Sequence, residues 1–345
     1  MANKIITILF ILGFSLNLNA QKATTSQDSI RIFYDKLFSV MKKGYLYKGS
    51  VNWKEIEPKV QENLKQYSDF RSSLKEVATV FEFAKADHGK VYYNNATFSG
   101  NFPGVTKDDF SAQWLKKYTA KPKFEVRVLD NSVGYILIPG MLFEDFSTKN
   151  IHNLAQPMYD EINKIKESKD IKGWIIDLRM NTGGNCQPMI LALYDFLGNA
   201  EVWGVLDGTK KRSSTVKLSD GNYIENSKKG AYITPKGPLL DKAKVGVLIN
   251  QATGSSGEVV ALAFKGRENT IFIGEKTNGK TTTNIVVDLP FKAYMTLTIG
   301  LDCDRNGNYY EQIIPDIVIA KEDNFDDLLL DKNIQEAVKF IKNNE

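Results

Sequence analysis

Apolar positions recur at three- and four-residue intervals in the first part of the chain, which is the spacing of one face of an α-helix. The stripe that contains Ile30 and Phe33 is the clearest, and similar stripes follow around Val60 and Val77. Together they predict a small N-terminal helical bundle over residues 27–88.

The pattern changes twice beyond this bundle. Residues 89–124 show no helical period and carry polar, glycine-bearing sequence such as YYNNATFSGNFPG, which predicts a connecting segment or a lid. From residue 125 short apolar runs alternate with helical segments, which predicts an α/β core with parallel strands. The runs are VGYILI (133–138), GWIIDL (173–178), VGVLIN (245–250) and TIFIG (270–274).

The predicted core extends over residues 125–320 and ends in a hairpin. Two β-type runs, 284–290 and 293–302, are separated by only two residues, so they are expected to pair with each other. The remaining residues, 321–345, include FDDLLLDKNIQEAVKFIKN, whose apolar spacing predicts a closing amphipathic helix.

The N-terminus has the layout of a secretory signal peptide. In MANKIITILFILGFSLNLNA a lysine precedes an apolar run, and the small residue Ala20 ends the segment. The apolar run is too short to span a bilayer. We therefore predict that residues 1–20 are removed and that the mature chain is exported to a periplasmic or extracellular location, with no integral membrane segment.

The net charge narrows the classes of binding partner, and the cysteine content bears on whether the chain contains a disulfide. The formal net charge is +4, or +3 once Lys4 leaves with the signal peptide, and so mild a balance does not favour nucleic acid as a partner. The two cysteines, Cys186 and Cys303, could form a disulfide in an exported protein or remain free thiols. Both alternatives stay open at the level of the sequence.

Two serines stand between glycines in ATGSSGE, directly after the apolar run VGVLIN. Ser255 is therefore expected near the N-terminus of the following helix, where unpaired backbone N–H groups and the helix dipole favour negative charge. A serine at this place either caps the helix or acts as a nucleophile beside which a developing oxyanion would be stabilised.

A second glycine-bearing turn ends a strand in IIDLRMNTGGN. Gly183 and Gly184 lack side chains, so their backbone amides could approach a ligand as an oxyanion hole requires. The alternative is a tight turn between strand and helix. Lys280, in GEKTNGKTTTN, is a candidate general base, because burial can lower the pKa of a lysine toward neutrality.

The three motifs GSSGE, DLRMNTGG and GEKTNGK, in their order and spacing, resemble the core of the tail-specific, or C-terminal processing, serine peptidase family. DRNGNYYEQIIPDI (304–317) is similar to a further segment of that family. The resemblance covers about residues 125–320. It implies an α/β core of the tail-specific protease type, a mixed sheet with flanking helices, here preceded by the small helical bundle.

The resemblance also implies catalytic residues. Ser255 corresponds to the nucleophile, and the oxyanion hole corresponds to Gly183 or Gly184 together with the amide of Ser256. In the processing branch of the family, Lys280 would be the base of a Ser–Lys dyad. Two features depart from that branch: no PDZ domain fits between the bundle and the core, and an asparagine stands four residues after the lysine where that branch has glutamine.

The bundle and the sequences GSSGE, GGNCQPM and TTTN look more like a compact branch of the family, which includes the nisin resistance protease. In that branch a histidine at the end of the N-terminal helical region is the base, and His88 in AKADHGK takes that position. Histidine titrates near neutral pH, and its pairing with serine is a common way to activate the hydroxyl. We therefore prefer His88 as the base, and Lys280 would then line the cleft.

Glu258 and Asn185 are candidate substrate-binding residues. Glu258 follows Ser255 by one helical turn, so it could orient a substrate amide or simply stabilise the helix N-terminus. We expect no metal site: DCDRNGN has the opening spacing of a calcium loop, but Ile313 stands where a bidentate glutamate is required.

These observations predict an exported serine endopeptidase that cleaves peptides or unfolded protein segments through an acyl-enzyme on Ser255. The reaction needs no metal or organic cofactor. The alternative is a non-catalytic ligand- or peptide-binding protein on the same fold, since the wider family includes retinoid-binding relatives. A binder would not need the complete set of nucleophile, oxyanion loop and base.

Overall fold

A computed structural model describes residues 25–343. The predicted signal peptide, residues 1–20, lies outside the described residues and stays a prediction. Within the described range, every helix is too short or too polar to cross a membrane.

The N-terminal region is helical, as its apolar stripes predicted. Its helices are α1 (Ser26–Gly44), α2 (Trp53–Leu64), α3 (Phe70–Ser73) and α4 (Glu76–Ala84). Helix α1 begins after Thr25, whose hydroxyl accepts the N–H of Asp28 at 3.1 Å. The stripe that contains Ile30 and Phe33 is fully buried in a core that these helices share with a β-sheet.

The rest of the described chain is built on two β-sheets. Their strands are β1 (Lys90–Tyr93), β2 (Ala96–Phe98), β3 (Glu125–Leu129), β4 (Val133–Leu137), β5 (Gly173–Asp177), β6 (Glu201–Leu206), β7 (Arg212–Ser219), β8 (Asn222–Glu225), β9 (Lys228–Tyr232), β10 (Lys244–Ile249), β11 (Thr270–Gly274), β12 (Thr282–Asp288), β13 (Tyr294–Asp304) and β14 (Ile317–Val318). The central sheet has the order β14-β11-β10-β5-β4-β3, and the outer sheet the order β2-β1-β13-β6-β7-β8-β9 with β12 paired to β13.

The central sheet confirms the predicted α/β core. Strands β4, β5, β10 and β11 are the four apolar runs, and they pair in parallel, while β3 is antiparallel to β4. Helices on both faces bury these strands, which is why their sequences are apolar throughout rather than alternating. The flanking helices are α5 (Ala112–Thr119), α6 (Thr148–Ser168), α7 (Cys186–Ala192), α8 (Tyr194–Leu197), α9 (Ser256–Phe264) and α10 (Lys332–Lys342).

The segment 89–124 has more regular structure than its sequence indicated. Strands β1 and β2 form a hairpin that joins the outer sheet through β13, and α5 follows. The hairpin turn is Asn94–Asn95, and both residues have positive φ, 46° and 63°, the conformation of a tight two-residue hairpin turn. The two strands are too short for a period to be recognised in the sequence.

Two boundaries also differ from the sequence prediction. The predicted hairpin forms between β12 and β13, but residues 289–293 connect the strands, because Pro290 and Phe291 form a 3-10 turn in which Phe291 has φ +64°. Helix α10 begins only at Lys332, since the Asp331 carboxylate caps it by accepting two backbone N–H groups.

The central sheet brings the two predicted motifs together. Strand β5 leads into the Gly183–Gly184 loop, and β10 leads into the turn that carries Ser255. These strands are neighbours and run parallel, so their carboxyl ends meet at one edge of the sheet. Ligands of open α/β sheets bind at that edge.

Candidate active site

Ser255 ends a tight turn between β10 and α9 and directly precedes the helix. The Thr253 hydroxyl donates to the Leu178 carbonyl at 2.9 Å, and the Gly254 N–H donates to the Asn181 carbonyl at 3.0 Å. Both acceptors lie in the loop after β5. The serine turn is therefore bound directly to the glycine loop.

The backbone of Ser255 is strained. It has φ +53° and ψ −119°, whereas a helix-capping serine ordinarily has an extended backbone, and such a conformation costs of order 1–3 kcal/mol in a residue other than glycine. In α/β-hydrolases a strained strand-to-helix turn exposes the hydroxyl of the nucleophilic serine. The conformation thus favours a nucleophile over a simple cap.

Glu258 is fully buried under this turn. Its carboxylate accepts the N–H groups of Ser255 at 2.9 Å, Gly279 at 2.8 Å and Lys280 at 2.7 Å. Burial raises the pKa of Glu258, and a hydrogen bond from the Thr277 side chain, followed by these amides, opposes the rise. Of its two expected roles, this placement favours stabilising the helix N-terminus over contact with a substrate.

The glycine loop packs against the serine. A Cβ added to Gly183 would lie 2.9 Å from the Ser255 Cβ, and a Cβ added to Gly184 would lie 1.8 Å from the Met141 carbonyl oxygen. Both glycines also have φ near +111°, which residues with side chains rarely adopt. The local geometry therefore requires glycine at both positions.

One of the two glycine amides is available as an oxyanion donor. The Gly183 N–H donates to Asn181 Oδ1 at 3.1 Å, while the amide of Gly184, an exposed residue, donates to no group within residues 25–343. The Ser256 hydroxyl donates to the Gly184 carbonyl at 2.6 Å, which fixes this peptide beside the N-terminus of α9. The amide of Ser256, at the first helical position, has no partner within the helix.

Asn185 and Cys186 follow the glycine loop. Asn185 Nδ2 donates to the Phe143 carbonyl at 3.4 Å, and its Oδ1 lies 3.5 Å from the Phe143 nitrogen, so its side chain supports the neighbouring chain segment. Burial, and after it the Asp302 carboxylate, raise the pKa of the Cys186 thiol to about 12, which disfavours a nucleophilic thiolate. Cys186 and Cys303 are both free thiols.

His88 lies between the N-terminal helices and the outer sheet. Its Nδ1 is 2.7 Å from the Thr282 hydroxyl oxygen, and its carbonyl accepts from Asn284 Nδ2 at 3.3 Å. The chain's other histidine, His152, lies on α6, where its ring stacks on that of Tyr232 at a centroid separation of 4.4 Å. His88 is thus the histidine associated with the predicted catalytic motifs.

Lys280 is bound to the residue before this histidine. Its ammonium pairs with the Asp87 carboxylate and donates to the Asp87 carbonyl at 3.2 Å. The Lys280 side chain is 26% exposed. Burial, and after it the charge of Lys280, lower the pKa of His88 to about 4, against the opposing charge of Asp87.

Neither candidate base makes a hydrogen bond with the Ser255 hydroxyl within residues 25–343. Hydrogen bonds from a base to its nucleophile often tighten only when substrate is bound. Two of the three groups are nevertheless linked through the backbone, because one oxygen, Glu258 Oε2, accepts the N–H groups of both Ser255 and Lys280. The Lys280 side chain in turn binds Asp87, the residue before His88.

Sequence reasoning did not find the residues that connect these motifs. Asn181 binds both the glycine loop and the serine turn. Below them Arg179 is fully buried and pairs with Asp177, Asp323 and Asp331 at 2.6 to 2.8 Å. The DLRMNTGG motif includes Arg179 and Asn181. However, Asp323 and Asp331, which pair with Arg179, lie far along the chain from this motif.

An irregular segment, residues 138–143, continues β4 alongside the glycine loop. The Met141 N–H donates to the Gly183 carbonyl at 3.1 Å, and the Asn185 N–H donates to the Met141 carbonyl at 2.7 Å. These bonds form a parallel bridge between the segment and the loop. A surface of the segment therefore leads directly to the candidate oxyanion hole.

Residues of this segment line two adjoining cavities of about 370 and 420 Å³. The first is mostly apolar, and its lining includes Phe124, Met141, Leu142, Phe143, Leu154 and Met158. Leu142 is 90% exposed, and nearby Phe146 is 60% exposed. We call the first cavity and these two exposed side chains the apolar groove.

Comparisons with known proteins agree with the three motifs. The sequence model of peptidase family S41 matches residues 132–319. The nisin-resistance protein of Lactococcus lactis subsp. lactis is 27% identical over 274 residues, which cover 79% of this chain and 78% of that protein. A carboxy-terminal-processing protease of Bartonella bacilliformis is 25% identical over 195 residues, 56% of this chain, and the match spans only 40% of that protein's length.

The fold is also found among solved structures. A lipoprotein from Streptococcus agalactiae superposes with a TM-score of 0.64 at 23% identity, over 92% of this chain and 96% of that chain. This likeness includes the N-terminal helices as well as the core. Because the family match covers more than half of the chain and contains its serine and glycine motifs, the protein belongs to peptidase family S41.

Proposed function

We propose that the protein is an exported serine endopeptidase that cleaves peptides or unfolded protein segments through an acyl-enzyme on Ser255. The observation that carries this proposal is the strained backbone of Ser255 at the N-terminus of α9, directly against Gly183. Membership in family S41 supports the class of reaction, and these contacts support its serine mechanism.

In the first step the Ser255 hydroxyl attacks the carbonyl carbon of the scissile peptide bond while His88 Nε2 accepts its proton. The negative charge that develops on the carbonyl oxygen is stabilised by the N–H groups of Gly184 and Ser256 and by the dipole of α9. His88 then donates its proton to the leaving amine as the C–N bond breaks, which leaves the acyl-enzyme. Water attacks this ester with His88 again as the base and releases Ser255.

Three observations support His88 over Lys280 as the base. The ammonium of Lys280 is held by the carboxylate and the carbonyl of Asp87, so it would have to leave that ion pair and give up a proton before it could act as a base. Its side chain is also partly exposed, whereas a lysine base needs desolvation. His88 presents an imidazole whose Nδ1 is already bound, by Thr282, and whose Nε2 is left to act as the base.

The substrate would lie along the apolar groove. The groove shares Met141 with the bridge to the glycine loop, so a peptide bound there extends toward Ser255. Its apolar lining and the exposed Leu142 suit a substrate segment with exposed apolar side chains, which is a property of unfolded chains and not of folded surfaces. Export would bring the enzyme to peptides outside the cytoplasm, and a purified mature protein that begins near Gln21 would support this.

The proposal is tested by cleavage of casein and of a fluorogenic peptide. Ser255→Ala and His88→Ala should each lose cleavage by several orders of magnitude while unfolding at the same denaturant concentration as the wild type. Ser256→Ala is the matched control: it loses one hydroxyl bond to Gly184 but keeps the amide, so we expect a decrease of only about fivefold.

Two results would overturn the proposal. Full activity of Ser255→Ala with loss in Ser256→Ala would move the nucleophile by one residue. Tight binding of the peptide by the wild type without any cleavage would favour the alternative, a binding protein on the same fold.

A further inference from the structure

The dipeptide Asp87–His88 is held by three residues at two-residue spacing on one chain segment. Lys280 binds the carboxylate and the carbonyl of Asp87, Thr282 binds the His88 ring at 2.7 Å, and Asn284 donates to the His88 carbonyl at 3.3 Å. Residues two apart in an extended segment lie on the same face. Thr282 and Asn284 lie in β12, and Lys280 lies two residues before that strand begins. Together the three side chains bind both the backbone and the ring of the candidate base.

We propose that Lys280, Thr282 and Asn284 are positioning residues that aim His88 at Ser255, with Thr282 as a neutral third member of the catalytic group. This inference rests on the proposed function. When His88 Nδ1–H donates to the Thr282 hydroxyl, the lone pair is fixed on Nε2, which is the nitrogen that must accept the serine proton. In the common triad a carboxylate has this task.

Lys280 also sets the distance between base and nucleophile. Its backbone N–H shares Glu258 Oε2 with the N–H of Ser255, while its side chain holds Asp87. A single residue therefore connects the nucleophile turn, through its backbone, to the loop of the base, through its ammonium. The lysine that the processing branch uses as a base has a different role here, that of a link.

A neutral partner changes the charge around the base. Among residues 25–343 no carboxylate is bound to the ring itself, and the charged groups that face His88 are Asp87, Lys280 and Lys90. The negative charge of Asp87 favours the protonated form of His88, and the ammonium of Lys280 offsets that negative charge through the ion pair. Removing the ammonium should therefore raise the pKa of His88, and removing the carboxylate should lower it.

Thr282→Val is the first test, because it keeps the shape of the side chain and removes the hydroxyl. We expect kcat for a fluorogenic peptide to fall about 10- to 100-fold through loss of alignment, with KM within about twofold of the wild type. Thr282→Ser restores the hydroxyl and should recover most of kcat. Wild-type kcat in Thr282→Val would overturn the role of this residue.

Lys280→Met is the second test, measured as kcat/KM against pH. The acidic limb of this pH profile should move to higher pH. The reason is that the ammonium that opposes protonation of His88 is gone and Asp87 is left unpaired. Asp87→Asn should move the limb the other way. Lys276→Met, an exposed lysine of the same loop, is the matched control and should leave the limb in place.

The outcomes separate this inference from the proposed function. An active His88→Ala variant would remove the histidine base itself, and with it the proposed mechanism. An inactive His88→Ala variant beside an unshifted acidic limb in Lys280→Met would leave the serine peptidase in place and overturn only the positioning role.

Discussion

Removal of the Glu258 carboxylate should reduce stability and activity together, because it binds the serine turn to the loop of Lys280. The group is fully buried and accepts three backbone N–H groups. A buried donor without an acceptor costs about 1–3 kcal/mol, and part of this is offset because a carboxyl group no longer has to be buried. We expect Glu258→Ala to lower the free energy of unfolding by about 2–4 kcal/mol.

The effect on the rate follows from the strain at Ser255. Without the carboxylate on its N–H, the positive φ of this residue can relax, and a displacement of about 1 Å costs about 100-fold in rate. KM should change little, since Glu258 is buried away from any substrate. Glu258→Gln keeps one acceptor oxygen and should be intermediate in both stability and kcat.

The assay combines guanidinium unfolding, followed by tryptophan fluorescence, with steady-state hydrolysis under conditions where each variant is folded. Glu268→Gln is the control, because that glutamate lies in a surface ion pair with Lys242 and is 76% exposed, so little stability depends on it. Wild-type kcat in folded Glu258→Ala would refute the view that this carboxylate holds the nucleophile.

Three further predictions concern separate parts of the site. Because burial and the charge of Lys280 lower the pKa of His88 to about 4, the base stays neutral in mild acid. The acidic limb of kcat/KM should therefore lie well below the usual imidazole value of about 6.5, and a limb above that value would contradict it. Gly184→Ala places a Cβ 1.8 Å from the Met141 carbonyl oxygen, so the loop must move. Displacement of the oxyanion donor should lower kcat by about 10²–10³-fold. An unchanged rate of hydrolysis would exclude the Gly184 amide as an oxyanion donor. Arg179→Met leaves buried carboxylates unpaired and should lower the free energy of unfolding by about 3–5 kcal/mol in guanidinium, whereas an unchanged midpoint would show that the network is not needed for stability.

The elements that the sequence predicted well are those whose pattern depends on local burial. Four apolar runs indicated parallel strands because a strand covered on both faces has no alternation, and the strands β4, β5, β10 and β11 confirm them. Adjacent carboxyl ends then explain why Ser255 and Gly183, which are distant in the chain, are in contact. The hairpin at Asn94–Asn95 was missed because its turn signal stands between strands of only four and three residues.

The contacts that complete the site join residues that are far apart in the sequence, and a local sequence pattern does not predict such contacts. Thr282 and His88 are 194 residues apart, and the bond between them exists because the outer sheet folds back on the N-terminal helices. Glu258 was expected near the helix N-terminus, but its bonds to Gly279 and Lys280 depend on a loop that begins after β11. A lysine motif in the sequence cannot reveal that its ammonium is committed to Asp87.

The most direct test of the central claim is covalent labelling of the purified protein with a fluorophosphonate probe, which reacts with activated serine hydroxyls, followed by mass-spectrometric mapping. The account predicts one labelled peptide modified at Ser255, no label in Ser255→Ala, and a strongly reduced rate of labelling in His88→Ala. Absence of label in the wild type, or a label that maps to Ser256, would contradict it.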